Sequence, residues 1–178
     1  MAKKKQQKQV DPYSTHLPTL TAILDAVEIK SVIEFGCGRY STPLFADRGI
    51  DLISVEQQSD AFFKIMEDMY AETKNVCIMY LPGCLRAIEF LSGVDLPGVD
   101  LILVDGEQNS RPGLVQAGFD KADIIVGHDT EDGRYRWDTV KPPKGWTVID
   151  IETSKPFTRV WTKTDAVIAA LKQQGKEA

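Results

Sequence analysis

The sequence predicts an α/β fold in which a doubly wound, mostly parallel, seven-stranded sheet ends in an antiparallel C-terminal hairpin strand. Short apolar segments of strand length alternate with segments whose apolar residues recur at the spacing of one helix face. Four consecutive aliphatic residues, Leu101–Val104, indicate a strand that is buried on both faces, as in the middle of a parallel sheet. Near the C-terminus, two strands separated by a short turn are typical of an antiparallel hairpin.

The predicted helices and strands alternate along the chain. The first helix covers residues 17–27, with Ser14 or Thr15 as its N-cap, because hydroxyl side chains accept hydrogen bonds from the first amides of a helix. Further helices are predicted at residues 41–47, 59–73, 86–91, 114–122 and 165–174. Strands are predicted at residues 31–35, 52–56, 76–80, 100–106, 124–126, 146–151 and 157–161. The polar residues 130–144 are predicted to form a loop with a short helical piece.

Length and charge indicate one domain behind a basic tail. The 178 residues, 43% of them hydrophobic and 26% charged, suit a single globular domain at residues 13–178. Residues 1–12 are predicted to be a disordered tail, whose first nine residues hold four lysines and no acid. The whole chain nevertheless carries a net charge of −5. An acidic body of this kind argues against a nucleic-acid partner, because phosphate contacts require clustered Lys and Arg.

Hydropathy and cysteine usage favour a reduced, cytoplasmic protein. The sequence contains no run of about 18 apolar residues, so no membrane span is expected. No apolar segment follows the N-terminal lysines directly, so no secretory signal is expected either. The three cysteines form no metal-type pair, which argues against a disulfide scaffold or a zinc ribbon.

The ends of the predicted strands carry the functional argument, because open α/β sheets bind ligands beyond the carboxyl ends of their strands. The first strand ends in a tight Gly36-Cys37-Gly38 turn, which would let a ligand approach the main chain. Twenty residues after Gly36, Glu56 ends the second strand, where a carboxylate can accept hydrogen bonds from both hydroxyls of a ribose. Together these features indicate an adenosine-type cofactor, with a plain turn and a solvated Glu as the alternative.

The segment Glu34-Phe35-Gly36-Cys37-Gly38 resembles the first motif of the class I S-adenosylmethionine-dependent methyltransferases, which reads acid, any residue, Gly, any residue, Gly. Glu56 is similar to their second-strand acid, and residues 146–161 to their antiparallel C-terminal hairpin. The resemblance covers about residues 14–163. Glu34 and Ser41 disfavour a NAD-dependent oxidoreductase, whose fingerprint has an apolar residue and Gly or Ala there.

The resemblance implies a Rossmann-like methyltransferase fold, S-adenosylmethionine as the cofactor and a set of contacts to it. Glu34 and the glycine turn would meet the methionine end, Glu56 the ribose and Gln57 the adenine, while residues 13–16 would fold over the cofactor as a lid. The implied cofactor-binding residues are Glu34, Gly36, Cys37, Gly38, Arg39, Ser41, Thr42, Glu56, Gln57, Gly83, Cys84, Leu85 and Asp105.

Three residues at the ends of the fourth and fifth strands, Asp105, His128 and Asp129, are the candidate catalytic groups. Methyl transfer to an oxygen requires that its proton be removed by a base or a metal. The resemblance to metal-dependent O-methyltransferases implies Asp105 and Asp129 as ligands of a divalent metal such as Mg²⁺. Without a metal, His128 is the candidate general base. In the third alternative, His128 or Asp129 only caps the following segment.

Arg111, Arg134 and Tyr135 are predicted on the rim of the cleft, where they could bind an anionic or ring-shaped substrate. Ordinary salt bridging is the alternative for the arginines. The predicted function is S-adenosylmethionine-dependent O-methylation of a small molecule or sugar. A non-catalytic S-adenosylmethionine-binding module or partner subunit is the alternative, and a NAD-dependent oxidoreductase is less favoured. A homo-oligomer is left open, since a second subunit could complete the substrate pocket.

Overall fold

A computed structural model describes residues 11–93 and 98–177, with side chains up to residue 173. Residues 1–10 of the predicted basic tail lie outside the described residues. Asp11 and Pro12, which the predicted boundary assigns to that tail, instead belong to the folded part: Asp11 is the N-cap of a short 3₁₀ helix, Pro12–Ser14. Its side chain accepts a hydrogen bond from the backbone amide of Tyr13, which ties the segment down locally.

The strands form one seven-stranded sheet, which confirms the predicted fold class. The strands are β1 Ser31–Phe35, β2 Asp51–Glu56, β3 Val76–Tyr80, β4 Leu101–Val104, β5 Ile124–His128, β6 Thr147–Ile151 and β7 Thr158–Thr162. Their order is β3-β2-β1-β4-β5-β7-β6, and β7 runs antiparallel to both of its neighbours while the other pairs are parallel. The order reverses between β1 and β4, so the ends of these strands open the crevice that doubly wound sheets use for ligands.

Helices cover both faces of the sheet. They are α1 Leu17–Ala26, α2 Ser41–Asp47, α3 Asp60–Tyr70, α4 Cys84–Gly93, α5 Arg111–Gly118 and α6 Asp165–Glu177. Strand β4 shows why its residues are all apolar: Leu101 and Leu103 pack with α1 and α6, whereas Ile102 and Val104 pack with α4 and α5. None of the helices among the described residues has the length and apolar character that crossing a bilayer requires.

Several boundaries differ from the prediction by a few residues, and three differences at the ends of elements bear on the cleft. Helix α1 has His16 at its N-cap with no capping side chain, because the Thr15 hydroxyl bonds instead to His128 and to the carbonyl of Pro156. Strand β5 continues to His128, which pairs with Thr158 of β7. Helix α5 begins at Arg111, with Pro112 in its first turn, and ends at Gly118.

The ends of β1 and β4 touch each other at Gly36. This residue has a φ of +93°, and an added Cβ would stand 2.6 Å from the carbonyl carbon of Asp105. The Gly36 amide donates to the carbonyl of Val55, and the Asp105 amide donates to the carbonyl of Phe35. A side chain at position 36 would therefore separate the strand ends that form the ligand crevice.

We expect Gly36→Ala to lower the free energy of unfolding by at least about 2 kcal/mol, because it combines an unfavourable φ with a backbone clash. Urea unfolding measures the change. Gly93→Ala is the matched control, since a Cβ there meets nothing within 4 Å and alanine favours a helix. Equal stability of the two variants would contradict the close approach of the strand ends.

Candidate active site

A single cleft of about 900 Å³ lies at the carboxyl edge of the parallel strands. It brings together twelve of the residues predicted from the sequence, namely Gly36, Cys37, Gly38, Arg39, Ser41, Glu56, Gln57, Asp105, Arg111, His128, Asp129 and Tyr135. Six predicted residues do not line it, namely Glu34, Thr42, Gly83, Cys84, Leu85 and Arg134. The prediction of one shared cleft therefore holds for the strand ends, while several side chains are directed elsewhere.

The N-terminal segment forms one wall of the cleft. Asp11, Pro12, Tyr13 and His16 all line it, as expected for a segment that folds over a ligand. The Tyr40 hydroxyl donates a hydrogen bond of 2.6 Å to Asp11, so this wall is fastened to the loop that carries the glycines. Tyr13 is 76% exposed and stands at the open side.

Glu34 lies beneath the glycine loop and is fully buried, so it does not make the direct cofactor contact predicted for it. Its carboxyl accepts hydrogen bonds from the hydroxyls of Thr42 and Ser54. The Thr42 hydroxyl in turn accepts the backbone amide of Gly38 at 2.9 Å. Glu34 and Thr42 therefore position the loop from below instead of contacting a ligand.

Burial raises the pKa of Glu34 to about 7, although the hydroxyl groups around it act in the opposite direction. A carboxyl in this environment is costly to ionise, because no cation lies among its hydrogen-bond partners. The folded state consequently holds this proton to a higher pH than the unfolded chain does.

Glu56 is buried at the end of β2 and is fixed by the chain that follows it. Its Oε1 accepts the backbone amides of Gln58 and Ser59 at 2.6 and 2.9 Å. Its Oε2 receives, among the described residues, only the Cys37 thiol at 3.5 Å. Burial raises the pKa of the Cys37 thiol, so Cys37 is a neutral packing group beside the carboxylate. One oxygen of Glu56 thus remains able to accept further hydrogen bonds in the cleft.

Gln57 connects the ends of β2 and β4. Its amide nitrogen donates to the Ser110 hydroxyl at 3.0 Å, and its amide oxygen accepts the backbone amide of Glu107 at 3.1 Å. The same end of the cleft is lined by Gln58, Ser59 and Phe62, which the sequence reading does not assign to the site. Ser59 is the N-cap of α3, and its side chain accepts a hydrogen bond from the amide of Phe62 in the first turn of the helix.

The turn after β3 lies outside the cleft. Cys84 begins α4, and Leu85 is 69% exposed. The adenine contacts predicted for Gly83, Cys84 and Leu85 are therefore absent from the lining that the described residues form.

Arg111 is buried at the base of the cleft, at the end opposite Glu56, where it joins the ends of β4 and β5. Its Nε donates to the carbonyl of Gly106, its Nη1 to the carbonyl of His128 and to Asp129, and its Nη2 to the carbonyl of Asp105. All three guanidinium nitrogens are engaged within the protein. The predicted clamp for an anionic substrate would require some of these bonds to be exchanged.

Asp105 and Asp129, the predicted Mg²⁺ ligands, both form ion pairs with the side chain of Arg111. Arg111 Nη2 lies 3.3 Å from Asp105 Oδ1, and Nη1 lies 2.9 Å from Asp129 Oδ2. The guanidinium thus occupies the position between the two carboxylates that a shared ion would have to take. The pair therefore does not fit the expected magnesium site.

Asp105 also pairs with His128. Burial alone would raise the pKa of Asp105, but the hydrogen bond from His128 and the charge of Arg111 lower it below its usual value. His128 Nδ1 lies 3.2 Å from Asp105 Oδ2, and its Nε2 lies 2.8 Å from the Thr15 hydroxyl. Both ring nitrogens of the predicted general base are thus engaged inside the protein.

His16 is the chemically important residue that the sequence reading treats only as part of a lid. It is 2% exposed, and neither ring nitrogen has a hydrogen-bond partner among the described residues. Its ring packs edge-on against His128, with the centroids 4.6 Å apart. Burial lowers the pKa of His16 to about 4, so it is neutral at neutral pH. One sequence feature does point to His16: the chain has only two histidines, and the other, His128, stands at the end of a strand predicted to border the active site.

Tyr135 and Arg134, the two remaining residues predicted to bind substrate, lie in different places: one lines the cleft and the other does not. Tyr135 lines the cleft, with the Arg111 guanidinium 4.2 Å from its ring centroid. Arg134 is exposed and forms an ion pair with Asp132, so it lies outside the cleft as the alternative reading of ordinary salt bridging allows.

Because the pKa of Glu34 is raised in the folded state, the free energy of unfolding depends on pH. Between the ordinary value of 4.5 and about 7, the folded state binds more protons than the unfolded state, so the stability of the wild type falls as pH rises. Glu34→Gln removes this contribution. Relative to the variant, we expect the wild type to lose on the order of 3 kcal/mol across this window and nothing more above it.

Chemical denaturation at a series of pH values measures this difference. Glu89→Gln, an exposed substitution on α4, is the control and should leave the pH profile of the wild type unchanged. Parallel profiles of the wild type and Glu34→Gln would show that the carboxyl is not held protonated.

Comparison with known proteins supports the fold. The sequence matches no protein-family model and no curated relative. An O-methyltransferase from Bacillus cereus, solved in complex with SAH, is 16% identical with a TM-score of 0.66, and the match covers 87% of this chain and 83% of that one. The O-methyltransferase TomG from Streptomyces achromogenes, involved in tomaymycin synthesis and solved with SAM, is 15% identical with a TM-score of 0.63, covering 89% and 92%.

A methyltransferase-like protein from Silicibacter pomeroyi is 15% identical with a TM-score of 0.57, and the match covers 88% of each chain. At these identities the similarity is one of fold. It agrees with the motif resemblance at Glu34–Gly38 and with the strand order of the sheet. The chain therefore has the Rossmann-like fold of the class I S-adenosylmethionine-dependent methyltransferases.

Proposed function

We propose that the protein is an S-adenosylmethionine-dependent methyltransferase that transfers the methyl group to an oxygen of a small molecule or sugar. One observation carries the proposal: one open cleft joins the carboxylate of Glu56, which we propose binds a ribose, to a cluster of titratable groups, His16, Asp105 and His128. Two proteins of the same fold, from Bacillus cereus and Streptomyces achromogenes, were solved with SAH and SAM.

The cofactor end has the groups that an adenosine-type ligand requires. Glu56 is held by two backbone amides through Oε1, which leaves Oε2 to accept hydrogen bonds from ribose hydroxyls. The glycine loop exposes main chain beside it, and the exposed Arg39 lies on the rim where it can meet a carboxylate. When bound, S-adenosylmethionine supplies an electrophilic methyl group on a sulfonium.

The other end has groups that can orient a hydroxyl and take its proton. His16 is neutral, its ring nitrogens have no hydrogen-bond partner within the described part of the chain, and it lines the cleft beside Asp105 and His128. His16 and His128 are buried and Asp105 is half-buried, so the group lies at the floor of the cleft, where an aligned nucleophile lowers the barrier substantially. The ring of Tyr135 completes this wall.

A non-catalytic binding module is the rival function. It predicts a cleft filled by the protein's own side chains at the acceptor end, whereas the cleft remains open there between His16, Asp129 and Tyr135. The open space favours an enzyme, although Arg134 does not contribute to it. The binding and transfer experiments below separate the two functions.

We expect S-adenosylhomocysteine to bind the wild type in titration calorimetry, and NAD not to bind. Glu56→Gln should weaken S-adenosylhomocysteine at least about 10-fold, because the amide can still hold the loop but loses the charged acceptor for the ribose hydroxyls. Glu89→Gln is the matched control with unchanged affinity. Binding of NAD instead, or equal affinity of Glu56→Gln, would refute the assignment.

We expect methyl transfer from radiolabelled S-adenosylmethionine to at least one member of a panel of phenols, polyols and sugars. His16→Phe, which keeps a ring but no nitrogen, should abolish transfer while S-adenosylhomocysteine affinity stays within about threefold. Leu85→Ala, at an exposed position outside the cleft, should transfer normally. Tight cofactor binding without transfer to any acceptor of the panel would favour the binding module.

A further inference from the structure

We propose that His16, Asp105 and His128 form a binding site for a divalent transition-metal ion, with Zn²⁺ as the representative, at the floor of the cleft. Each residue offers one ligand atom, and these atoms all lie within 4.8 Å of one another. The site differs from the magnesium pair expected at Asp105 and Asp129 in its ligands and in its preferred metal. Two imidazoles and one carboxylate suit zinc and similar ions, whereas Mg²⁺ prefers oxygen ligands only.

The hydrogen bonds of Thr15 determine where the electron pairs of His128 point. The Thr15 hydroxyl has one proton and lies 2.8 Å from the carbonyl of Pro156, which can only accept. When the hydroxyl donates there, it must accept from His128 Nε2, also at 2.8 Å, and that nitrogen must carry the proton. In the neutral ring, Nδ1 is then a bare lone pair facing Asp105 Oδ2 at 3.2 Å. A metal ion bound by both atoms would hold these two acceptors together, in place of the proton that joins them when the ring is doubly protonated.

His16 adds the third lone pair. Its ring is buried, and both of its nitrogens lack a hydrogen-bond partner among the described residues. Leaving such a group buried without a partner is costly, and a metal ion would satisfy it. The edge-on packing against His128 holds both imidazoles in one place.

The surroundings are those of a ligated metal. The Thr15 hydroxyl would fix the tautomer of His128 from behind, as hydrogen-bond acceptors do for histidines that bind metals. Arg111 lies against Oδ1 of Asp105, so Oδ2 is the oxygen directed to His128 and to the proposed ion. With three protein ligands, the remaining coordination positions would face the cleft, where an acceptor hydroxyl could occupy them.

The metal site itself does not rest on the proposed methyltransferase function, and it can be tested without cofactor. The chain contains only two histidines, and both belong to the site. Long-range ¹H–¹⁵N spectra of the untagged full chain therefore show two imidazoles, whose ring-nitrogen shifts report directly on protonation and metal binding. Zinc is titrated into the protein in calorimetry and in these spectra, with Mg²⁺ in a parallel titration.

We expect one equivalent of Zn²⁺ to bind and to shift one nitrogen of each ring, while Mg²⁺ neither binds nor competes. Thr15→Val should weaken zinc about 10–100-fold, since it removes the partner of a ligating histidine. His16→Phe should weaken it more strongly than Thr15→Val does. Asp129→Asn should leave zinc affinity within about threefold, and it distinguishes this site from one that uses Asp129.

No zinc binding, or zinc binding that shifts neither imidazole, would overturn the proposal, as would loss of zinc binding in Asp129→Asn. If His16→Phe does not fold, the ring-nitrogen shifts of the wild type during the zinc titration still test the proposed site. Failure of zinc binding with intact S-adenosylhomocysteine binding would overturn only the metal site. Zinc binding without S-adenosylhomocysteine binding would overturn only the proposed function.

Discussion

The buried guanidinium of Arg111 is the interaction on which the acceptor end of the cleft depends. It binds the carbonyls at the ends of β4 and β5 and also both aspartates that follow them. A buried cation is tolerated only where such partners surround it, so loss of any one partner would leave charge uncompensated. Because the guanidinium is planar and its donors are fixed, it sets the spacing of the two strand ends and holds Asp105 in place.

The cofactor end is organised in a similar way by two buried carboxyl groups, which bind hydroxyl groups and backbone amides. Glu34, buried below the glycine loop, accepts from Thr42, and Thr42 accepts the amide of Gly38. Glu56 is held through the amides of the residues that follow it. In both cases a side chain accepts hydrogen bonds from backbone amides, so the conformation of the loop is fixed before a ligand binds. Such preorganisation reduces the ordering cost of binding.

The sequence predicts the sheet and the strand ends well, because the spacing of apolar residues along the chain indicates which segments form buried strands. Leu101–Val104 must be buried on both faces, and Gly36 and Glu56 follow strands at positions that only one edge of a sheet can bring together. Side-chain direction is set by tertiary contacts that the sequence does not display. Arg111 therefore turns inward instead of towards a substrate, and Glu34 is directed below the loop. No local pattern in the sequence distinguishes a lid residue such as His16 from a buried one.

The polar atoms that the fold leaves unpartnered indicate where ligands belong. Buried polar groups are almost always hydrogen-bonded, so an exception in a cleft marks a position that something else fills. Among the described residues, the ring nitrogens of His16 at one end have no hydrogen-bond partner, and Oε2 of Glu56 at the other end accepts only the long bond from the Cys37 thiol. A ligand that spans the cleft would satisfy both ends at once. Glu56, His16 and His128 each cost stability in the interior of the domain, and a bound ligand would offset that cost.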